Sequence, residues 1–370
     1  MSDPEPQATG SAARVAPARS MSFTRFVGFI ERLGRNASFA LRALITRRFS
    51  YNTGVDDLNN LSLSDLYTDL GSTGFVRRLF ELARDEDLGQ PRPGRAPIEG
   101  DLTSAAGIES SVTGAADLNA RQGGTIAGLA TLADLIDVFG VRVKWSPHAA
   151  DGERVAPGMC LGRLTGPMVE ILAVERTLLN LVARLSGVAT RTAEFVAMIA
   201  GLPTKLLDTR KTTPGLRVLE KYAVRCGGGF CHRLGLYDAI LIKDNHLAGI
   251  PIARLATVVG AAIKRAREAA ISRGGLRFAE VEVDSLEQLA ALLDARGAGA
   301  DIILLDNMSI AMLRGAVRMR DGSSARVQLE ASGGVRLETV REIAETGVDR
   351  VSIGGLTHQA VSIDLGLDVV

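Results

Sequence analysis

Cysteine is scarce in this chain. Only three cysteines occur among 370 residues, Cys160, Cys226 and Cys231, and no two of them form a C-x-x-C pair. An odd number of cysteines without that spacing argues against a disulfide scaffold and against a zinc knuckle. The sequence therefore favours a reducing compartment, and we expect a cytoplasmic protein.

The chain also lacks a strong net charge and a long apolar run. Lys and Arg number 43 against 42 Asp and Glu, so the formal net charge is +1. No global field attracts nucleic acid, and any basic site must be local. No apolar run reaches the roughly 20 residues that span a bilayer. Aromatic residues make up 4% while glycine occurs 40 times, which is typical of an α/β protein with many tight turns.

The first 56 residues differ in composition from the rest. Residues 1–20 are rich in Pro, Ala and Ser and are predicted to be disordered. Residues 21–50 place Phe23, Phe26 and Phe29 near helical spacing among arginines, as a basic amphipathic helix for a membrane surface or a partner would. That apolar stripe is short, so we favour a basic extension over 1–56 without membrane association.

Residues 57–168 are predicted to form a first α/β domain. Helical patterns cover 57–85, and a Pro/Gly/Arg loop follows at 90–99. Short strands punctuated by Gly and Pro then fill the region from 100 to 168, around one helix at 132–139. We expect an open antiparallel sheet with that helix on one face, which is an open α/β sandwich.

Residues 169–370 are predicted to form a parallel barrel. A long helix covers about 169–200 and is interrupted at Ser186-Gly187, which indicates a bend or a close approach. Strands and helices then alternate, a pattern that implies a parallel sheet. Six strands are clear, near 206, 240, 280, 303, 329 and 351, with helices near 214–225, 252–272, 285–295, 309–319 and 337–346. A closed barrel needs eight strands, so we expect an irregular, incomplete α/β barrel.

Cationic residues are concentrated between positions 206 and 246. This stretch contains Arg210, Lys211, His232, Arg233 and Lys243, with little acid nearby in sequence to neutralise them. Arg210 and Lys243 directly follow predicted strands, whose carboxyl ends meet at one edge of a barrel. Because arginine offers planar, two-pronged donors to carboxylates, the set suits a small polyanion such as an aromatic dicarboxylate.

Two acids and two glycine-containing segments complete the predicted rim, which consists of the residues at the carboxyl ends of the strands. Glu282 and Asp306 end successive strands and suit a divalent metal or sugar hydroxyls, although they are equally suited to ion pairs with the cations. The segments Ser332-Gly333-Gly334 and Ser352-Ile353-Gly354 end the last two strands, where exposed backbone N–H groups commonly hold phosphate. Together these residues predict that a phosphosugar and a small polycarboxylate meet at the mouth of the barrel.

The chain resembles the quinolinate phosphoribosyltransferase family, also called nicotinate-nucleotide pyrophosphorylases (carboxylating), from about residue 57 to the carboxyl terminus. The resemblance rests on DTRKTTPGLRVLEKYAVRCGGG (208–229), HRLGLYDAILIKDNH (232–246), EVEVDSLEQ (280–288), ILLDNMS (303–309), LEASGGV (329–335), VSIGGLTH (351–358) and ERTLLNLVARLSGVAT (175–190). It implies that quinolinate and 5-phosphoribosyl-1-pyrophosphate give nicotinate mononucleotide, pyrophosphate and CO2 with Mg2+, in the synthesis of NAD.

The resemblance also implies roles for individual residues. Those that hold quinolinate are Arg210, His232, Arg233 and Lys243 of the barrel, and Arg176 from the other subunit of a homodimer with shared sites, higher assembly being left open. Those at the phosphoribosyl substrate are Lys211, Glu282, Asp306, Ser332, Gly333, Gly334, Ser352, Ile353 and Gly354, and Thr212 is expected to bind substrate as well. Of these, Lys211, Glu282 and Asp306 are expected to act in catalysis, and Glu282 and Asp306 to lie near Mg2+.

Three features depart from the family pattern. Cys231 stands where the family often has Asn, the loop 90–99 separates EDLG (86–89) from GDLT (100–103), and the first 50 residues match nothing in the family. Two other functions stay open on the sequence. One is the paralogue found beside molybdate transporters, and the other is an inactive homologue that acts as a scaffold through its basic extension. Every charged pocket residue of the family is present, which favours the enzyme.

Overall fold

A computed structural model describes residues 57–89, 100–271 and 275–370 of the chain. The predicted extension over 1–56 and the predicted loop over 90–99 lie outside these residues. Among the helices that it does describe, none is both long enough and apolar enough to cross a bilayer.

The first part of the described chain forms helices and an antiparallel sheet. A 3-10 turn at Asp57–Asn59 precedes them, and another at Leu129–Thr131 leads into the fourth helix. In chain order the elements are α1 (Leu63–Gly71), α2 (Phe75–Leu88), α3 (Leu102–Gly107), β1 (Thr113–Ala120), β2 (Gly124–Thr125), α4 (Leu132–Phe139), β3 (Lys144–Pro147), β4 (Arg154–Val155) and β5 (Cys160–Pro167).

The second part alternates strands and helices after one long helix. Its elements are α5 (Met168–Met198), β6 (Lys205–Leu207), α6 (Arg217–Cys226), β7 (Ile240–Ile242), α7 (Asp244–Leu247), α8 (Ile252–Ala270), β8 (Ala279–Val283), α9 (Leu286–Asp294), β9 (Ile302–Asp306), α10 (Ile310–Asp321), β10 (Gln328–Ser332), α11 (Val340–Ala344), β11 (Arg350–Ser352), α12 (Gly355–His358) and β12 (Leu365–Val369). A 3-10 turn at Arg296–Gly299 precedes β9.

Alternating burial explains the antiparallel sheet. Along β1, every second side chain from Ala116 to Ala120 is buried, as expected for a strand with one face on the core. The sheet has the order β12-β1-β5-β3, and β2 pairs with β4 beside it. The predicted helix at 132–139 is present with the same bounds.

The long helix α5 is continuous through the predicted interruption. A Cβ atom added at Gly187 would lie 2.1 Å from the backbone oxygen of Val361, and the Ser186 hydroxyl accepts the Ala127 N–H at 3.0 Å. The feature is therefore a close approach and not a bend. Gly187 and Ser186 thus let α5 contact two segments that are far apart in sequence, around Val361 and Ala127.

All six predicted strands of the second part form one parallel sheet. Its order is β6-β11-β10-β9-β8-β7, and every neighbouring pair is parallel. Within the described residues β6 and β7 are the two edges of this sheet, so the barrel is not closed. The predicted fold class, an open α/β sandwich followed by an incomplete parallel barrel, is confirmed.

The last strand leaves the barrel. Residues 365–369 were predicted to belong with 169–370, but β12 pairs antiparallel with β1, with Leu367 opposite Leu118. No helix longer than the four residues of α12 follows β11, so the chain has no crossover that would return it to the parallel sheet. The boundary predicted near Met168 coincides with the start of α5.

Candidate active site

A cleft of about 800 Å³ opens at the carboxyl ends of the parallel strands. Its lining includes almost all of the residues predicted from the sequence, namely Arg210, Lys211, His232, Arg233, Lys243, Glu282, Asp306, Ser332, Gly333, Gly334, Ser352, Ile353 and Gly354. It also includes residues that were not predicted from the sequence to line a site, namely Thr209, Leu241, Leu304, Asn307, Glu330, Val335, Arg336, Gly355, His358 and Gln359.

Two predicted residues do not line this cleft. Arg176 lies on α5 with 67% of its side chain exposed, and its nearest acid is Glu175 at 3.9 Å. Thr212 donates its N–H to the Arg210 oxygen at 2.9 Å and accepts from Arg217 Nε at 3.0 Å. Thr212 therefore shapes the loop after β6, while a role for Arg176 in such a cleft needs a second subunit.

A buried acid positions the cationic segment around His232. Asp208, at the end of β6, is fully buried and contacts Lys221 Nζ. Its Oδ1 accepts the His232 N–H at 2.8 Å, and its own N–H donates to the Phe230 oxygen at 3.1 Å. Asp208 thus fastens residues 230–232 beside β6, which brings His232 and Arg233 into the same cleft as Arg210.

Cys231, which stands where the family often has Asn, has an unreactive thiol and a backbone that is held by two hydrogen bonds. Cys231 donates its N–H to Asn59 Oδ1 at 2.6 Å, and its oxygen accepts from Asn59 Nδ2 at 3.0 Å. Burial, with Asp208 nearby, raises the pKa of the Cys231 thiol to about 12. The clamp from Asn59 uses only the backbone at position 231, so the cysteine does not loosen this segment.

His232 faces two buried carboxylates. Its Nε2 lies 3.0 Å from Glu280 Oε2 and 3.3 Å from Glu330 Oε1, while its Nδ1 lies 2.8 Å from the Arg233 backbone nitrogen. Arg350 Nε donates to Glu330 Oε2 at 2.7 Å. Burial opposes protonation of the ring, but Glu330 and Glu280 outweigh it and raise the pKa of His232 to about 9.

The pKa values of the two carboxylates, Glu280 and Glu330, are shifted in opposite directions. Burial and the neighbouring Glu330 raise the pKa of Glu280. Burial also acts to raise the pKa of Glu330, but His232 and Arg350 lower it to about 2. Nε2 is the ring nitrogen that faces both carboxylates, so the positive charge of the protonated ring is balanced there. His232 therefore keeps its positive charge into the alkaline range.

The raised pKa of His232 predicts an alkaline loss of stability. Because the pKa of His232 rises from 6.5 to about 9 on folding, its contribution is complete below pH 6.5 and is lost as the pH rises through 9. That shift corresponds to about 3 kcal/mol. Urea unfolding at pH 7 and pH 10 measures the loss, and Glu280→Gln should make it smaller. Equal losses in wild type and Glu280→Gln would contradict the assignment.

The acids that balance the cationic set come from other strands. Lys243, at the end of β7, contacts Glu282 Oε2 from β8. Burial, together with Arg210 nearby, lowers the pKa of Arg233. The ion pair that the sequence left open for Glu282 is therefore present, and Lys243 and Glu282 lie side by side at the rim.

Two glycine segments line the cleft at the ends of β10 and β11. Gly333 and Gly334 have φ values of 95° and 62°, so their backbone is left-handed and favours glycine. A Cβ atom at Gly354 would lie 2.6 Å from Cδ of Lys211, whose side chain crosses that glycine. The Lys211 oxygen also accepts from Thr357 Oγ1 at 2.6 Å. These contacts bring Lys211 to the segment after β11.

Some of the lining residues that were not predicted from the sequence could have been predicted from it, and others could not. Glu330 precedes Ser332 by two positions on β10, so strand alternation places both side chains on the same face. His358 Nδ1 donates to the Gly354 oxygen at 2.8 Å, one helical turn later. Strand spacing from Ser332 and helix spacing from Gly354 could therefore have predicted Glu330 and His358 as lining residues. No spacing of this kind indicates Gln359.

Family models match most of the chain that follows residue 100. The model described as "Quinolinate phosphoribosyl transferase, N-terminal domain" matches residues 101–186. The model described as "Quinolinate phosphoribosyl transferase, C-terminal domain" matches residues 188–368.

Individual relatives agree. A protein of Bacillus subtilis named probable nicotinate-nucleotide pyrophosphorylase [carboxylating] is 41% identical over 270 residues, which cover 73% of this chain and 88% of the relative. Quinolinate phosphoribosyltransferase [decarboxylating] 2b, mitochondrial, of Nicotiana tabacum is 36% identical over 310 residues, 80% of this chain and 82% of that protein.

Comparison with solved structures indicates the same family as the comparison of sequences. The structure of the nicotinate-nucleotide pyrophosphorylase from Francisella tularensis is 34% identical with a TM-score of 0.68, and it covers 85% of this chain and 99% of that chain. The similarity thus extends over both sheets and the cleft between the strand ends and the glycine segments. This chain belongs to the quinolinate phosphoribosyltransferase family.

Proposed function

We propose that this protein transfers the phosphoribosyl group of 5-phosphoribosyl-1-pyrophosphate to quinolinate with loss of CO2, giving nicotinate mononucleotide and pyrophosphate for NAD synthesis. The observation that carries the proposal is the division of a single cleft. Cations for two carboxylates lie around β6 and β7, while carboxylates and glycine segments for a phosphosugar lie at the ends of β8 to β11.

Quinolinate is assigned to the cationic part of the cleft. Arg210, Arg233 and Lys243 can each donate to a carboxylate oxygen, and the guanidinium groups can do so in two-pronged fashion. His232 adds the positive charge of its protonated ring to this part of the cleft. Because Glu282 already partners Lys243, that lysine orients a substrate carboxylate from a fixed position.

The phosphoribosyl substrate is assigned to the other part. Backbone N–H groups around Gly333 and Gly354 are assigned to the 5′-phosphate, and Lys211, which lies beside Gly354, is assigned to the pyrophosphate. Glu282 and Asp306 are then left to face the ribose between the phosphate and the pyridine ring.

The chemistry follows from these charges. As the anomeric C–O bond breaks, its electron pair leaves with pyrophosphate, and Lys211 stabilises that charge. Glu282 and Asp306 stabilise the positive charge that develops on the anomeric carbon, which the ring nitrogen of quinolinate attacks. The quaternised ring then accepts the electrons of the bond to the 2-carboxylate, CO2 departs, and the ring carbon takes up a proton. The protein holds two anions together that would otherwise repel.

Mg2+ is proposed as the metal. Within the described residues the one tight set of three potential ligands is His232, Glu280 and Glu330, so Glu282 and Asp306 offer two carboxylates without a third. Two carboxylates suit Mg2+, which usually completes its shell with water and substrate phosphates. Bound there, Mg2+ would neutralise charge on the pyrophosphate.

We also propose a cytoplasmic homodimer with shared active sites. A shared site is supported by the exposure of Arg176 away from the cleft of its own chain. The cytoplasm is supported by three cysteines that are all free thiols, although the Nicotiana relative is named as mitochondrial.

A direct assay tests the function. Purified protein is incubated with quinolinate, 5-phosphoribosyl-1-pyrophosphate and Mg2+, and nicotinate mononucleotide is measured by mass. We expect product that disappears when nicotinate replaces quinolinate, because nicotinate has a single carboxylate for this cationic set. A folded protein that makes no product would contradict the proposal and favour the transporter-linked paralogue or the scaffold.

A further inference from the structure

Asn307 has an unusual backbone at the rim of the cleft. It directly follows Asp306 at the end of β9 and has a φ of 52°, in the left-handed region that side-chain-bearing residues seldom adopt. Within the described chain, the other non-glycine residues with positive φ are Arg296 and Ala298, both in the 3-10 turn before β9. Asn307 is the member of this group that lines the cleft.

The side chain of Asn307 joins two parts of the phosphosugar site. Its Nδ2 donates to Asp306 Oδ2 at 3.0 Å, and its backbone N–H donates to the Ser332 oxygen at 2.9 Å. A Cβ atom built on Gly333 would lie 2.2 Å from Asn307 Oδ1. The amide therefore rests directly on the backbone of the first glycine segment.

We propose that Asn307 is a positioning residue that sets the Asp306 carboxylate at a fixed distance and angle from the Ser332-Gly333-Gly334 segment. This inference rests on the proposed function, in which Asp306 faces the ribose and that segment holds the 5′-phosphate. The donated hydrogen bond occupies Oδ2 of Asp306 and leaves Oδ1 for the substrate. The carboxylate and the glycine segment are then held at one spacing, as a ligand that carries both ribose hydroxyls and a 5′-phosphate requires.

A purely structural role makes a different prediction. If Asn307 served only to adopt the left-handed turn, glycine would serve as well, because it adopts positive φ without strain. Asn307→Gly therefore removes the amide while it keeps the backbone. Ala298→Gly is the matched control, since Ala298 also has positive φ, 49°, but does not line the cleft.

The experiment measures binding and turnover separately. For wild type, Asn307→Gly, Asn307→Asp and Ala298→Gly, we would determine kcat, KM for 5-phosphoribosyl-1-pyrophosphate, and calorimetric dissociation constants for ribose 5-phosphate and for quinolinate. We expect Asn307→Gly to raise KM for the phosphosugar substrate about tenfold or more, the loss typical of one hydrogen bond to a charged group. Quinolinate binding and the melting temperature should stay near wild type.

Asn307→Asp should lose more than Asn307→Gly, because a second carboxylate would then face Asp306 in place of a donor. Ala298→Gly should match wild type in every kinetic constant. Wild-type kinetics in Asn307→Gly would overturn the positioning role alone. Equal weakening of quinolinate and phosphosugar would overturn it too, since it would indicate a general distortion. A wild-type protein that neither turns over nor binds ribose 5-phosphate would overturn the proposed function along with it.

Discussion

Arg176→Ala and Lys243→Ala should each reduce turnover by roughly a hundredfold to a thousandfold, the loss typical when one preorganised hydrogen-bond donor is removed from an active site, and a mixture of the two should regain activity. Arg176 is exposed on α5, whereas Lys243 lies in the cleft. If subunits share sites, each mixed dimer has one site with both residues intact. Random exchange makes about half the dimers mixed, so about a quarter of wild-type turnover should return.

The control for this experiment uses two variants of the same barrel. Lys243→Ala mixed with Arg210→Ala should regain nothing, because every site of a mixed dimer then carries one substitution. Native mass spectrometry of differently tagged chains shows whether exchange has taken place. If exchange is complete and Arg176→Ala with Lys243→Ala stays inactive, the shared site is wrong and Arg176 acts elsewhere.

The rim of the site was predictable because of one geometric rule. The carboxyl ends of parallel strands meet at the same edge of a sheet, so polar residues that end successive apolar runs must lie near one another. Lys243, Glu282 and Asp306 are such residues, and all three line one cleft. The six strands were predictable for the same reason, since each was an apolar run ended by a polar residue.

The layer beneath the rim was not predictable. Strand alternation places Glu280 on the same face as Glu282, but it does not reveal that His232 lies against Glu280. Asp208 ended an apolar run like the rim residues, yet it is buried against Lys221. Which acid meets which cation depends on how α6 and residues 230–233 pack, and that information is not contained in sequence spacing.

The return of β12 to the first sheet was missed for a similar reason. A strand of five residues near a chain end carries no sign of its partner, and the free edge that it covers belongs to β1, some 250 residues earlier. The close approach at Gly187 was visible only as an alternative to a bend, because a glycine within a helix indicates either.

Lys221→Met should destabilise the protein by about 3–5 kcal/mol, the cost typical of leaving one member of a buried ion pair without its partner. Lys221 and Asp208 have no exposed side-chain area, and Asp208 Oδ2 has no hydrogen-bond partner within the described chain. Methionine fills the space of the lysine stem but cannot offset the carboxylate. Urea unfolding at pH 7 measures the change.

Two comparisons show whether charge or packing causes that loss. Lys264→Met removes a lysine that is 79% exposed and lies 4.0 Å from Glu268, and it should change stability little. Lys221→Met combined with Asp208→Asn removes both charges while the amide oxygen still accepts the His232 N–H, so most of the lost stability should return. A double variant as unstable as Lys221→Met would show that the loss comes from packing and not from the unpaired carboxylate.

The double variant also separates stability from function at this pair. Asp208 holds the His232 N–H, and His232 precedes the arginine that lines the cleft. If the neutral amide introduced by Asp208→Asn keeps that hydrogen bond, turnover should return together with stability. The charges of the ion pair would then serve only to stabilise the folded segment around His232. If stability returns while KM for quinolinate stays high, the buried charge itself sets where His232 and Arg233 lie, and the cationic set depends on a residue that never contacts the substrate.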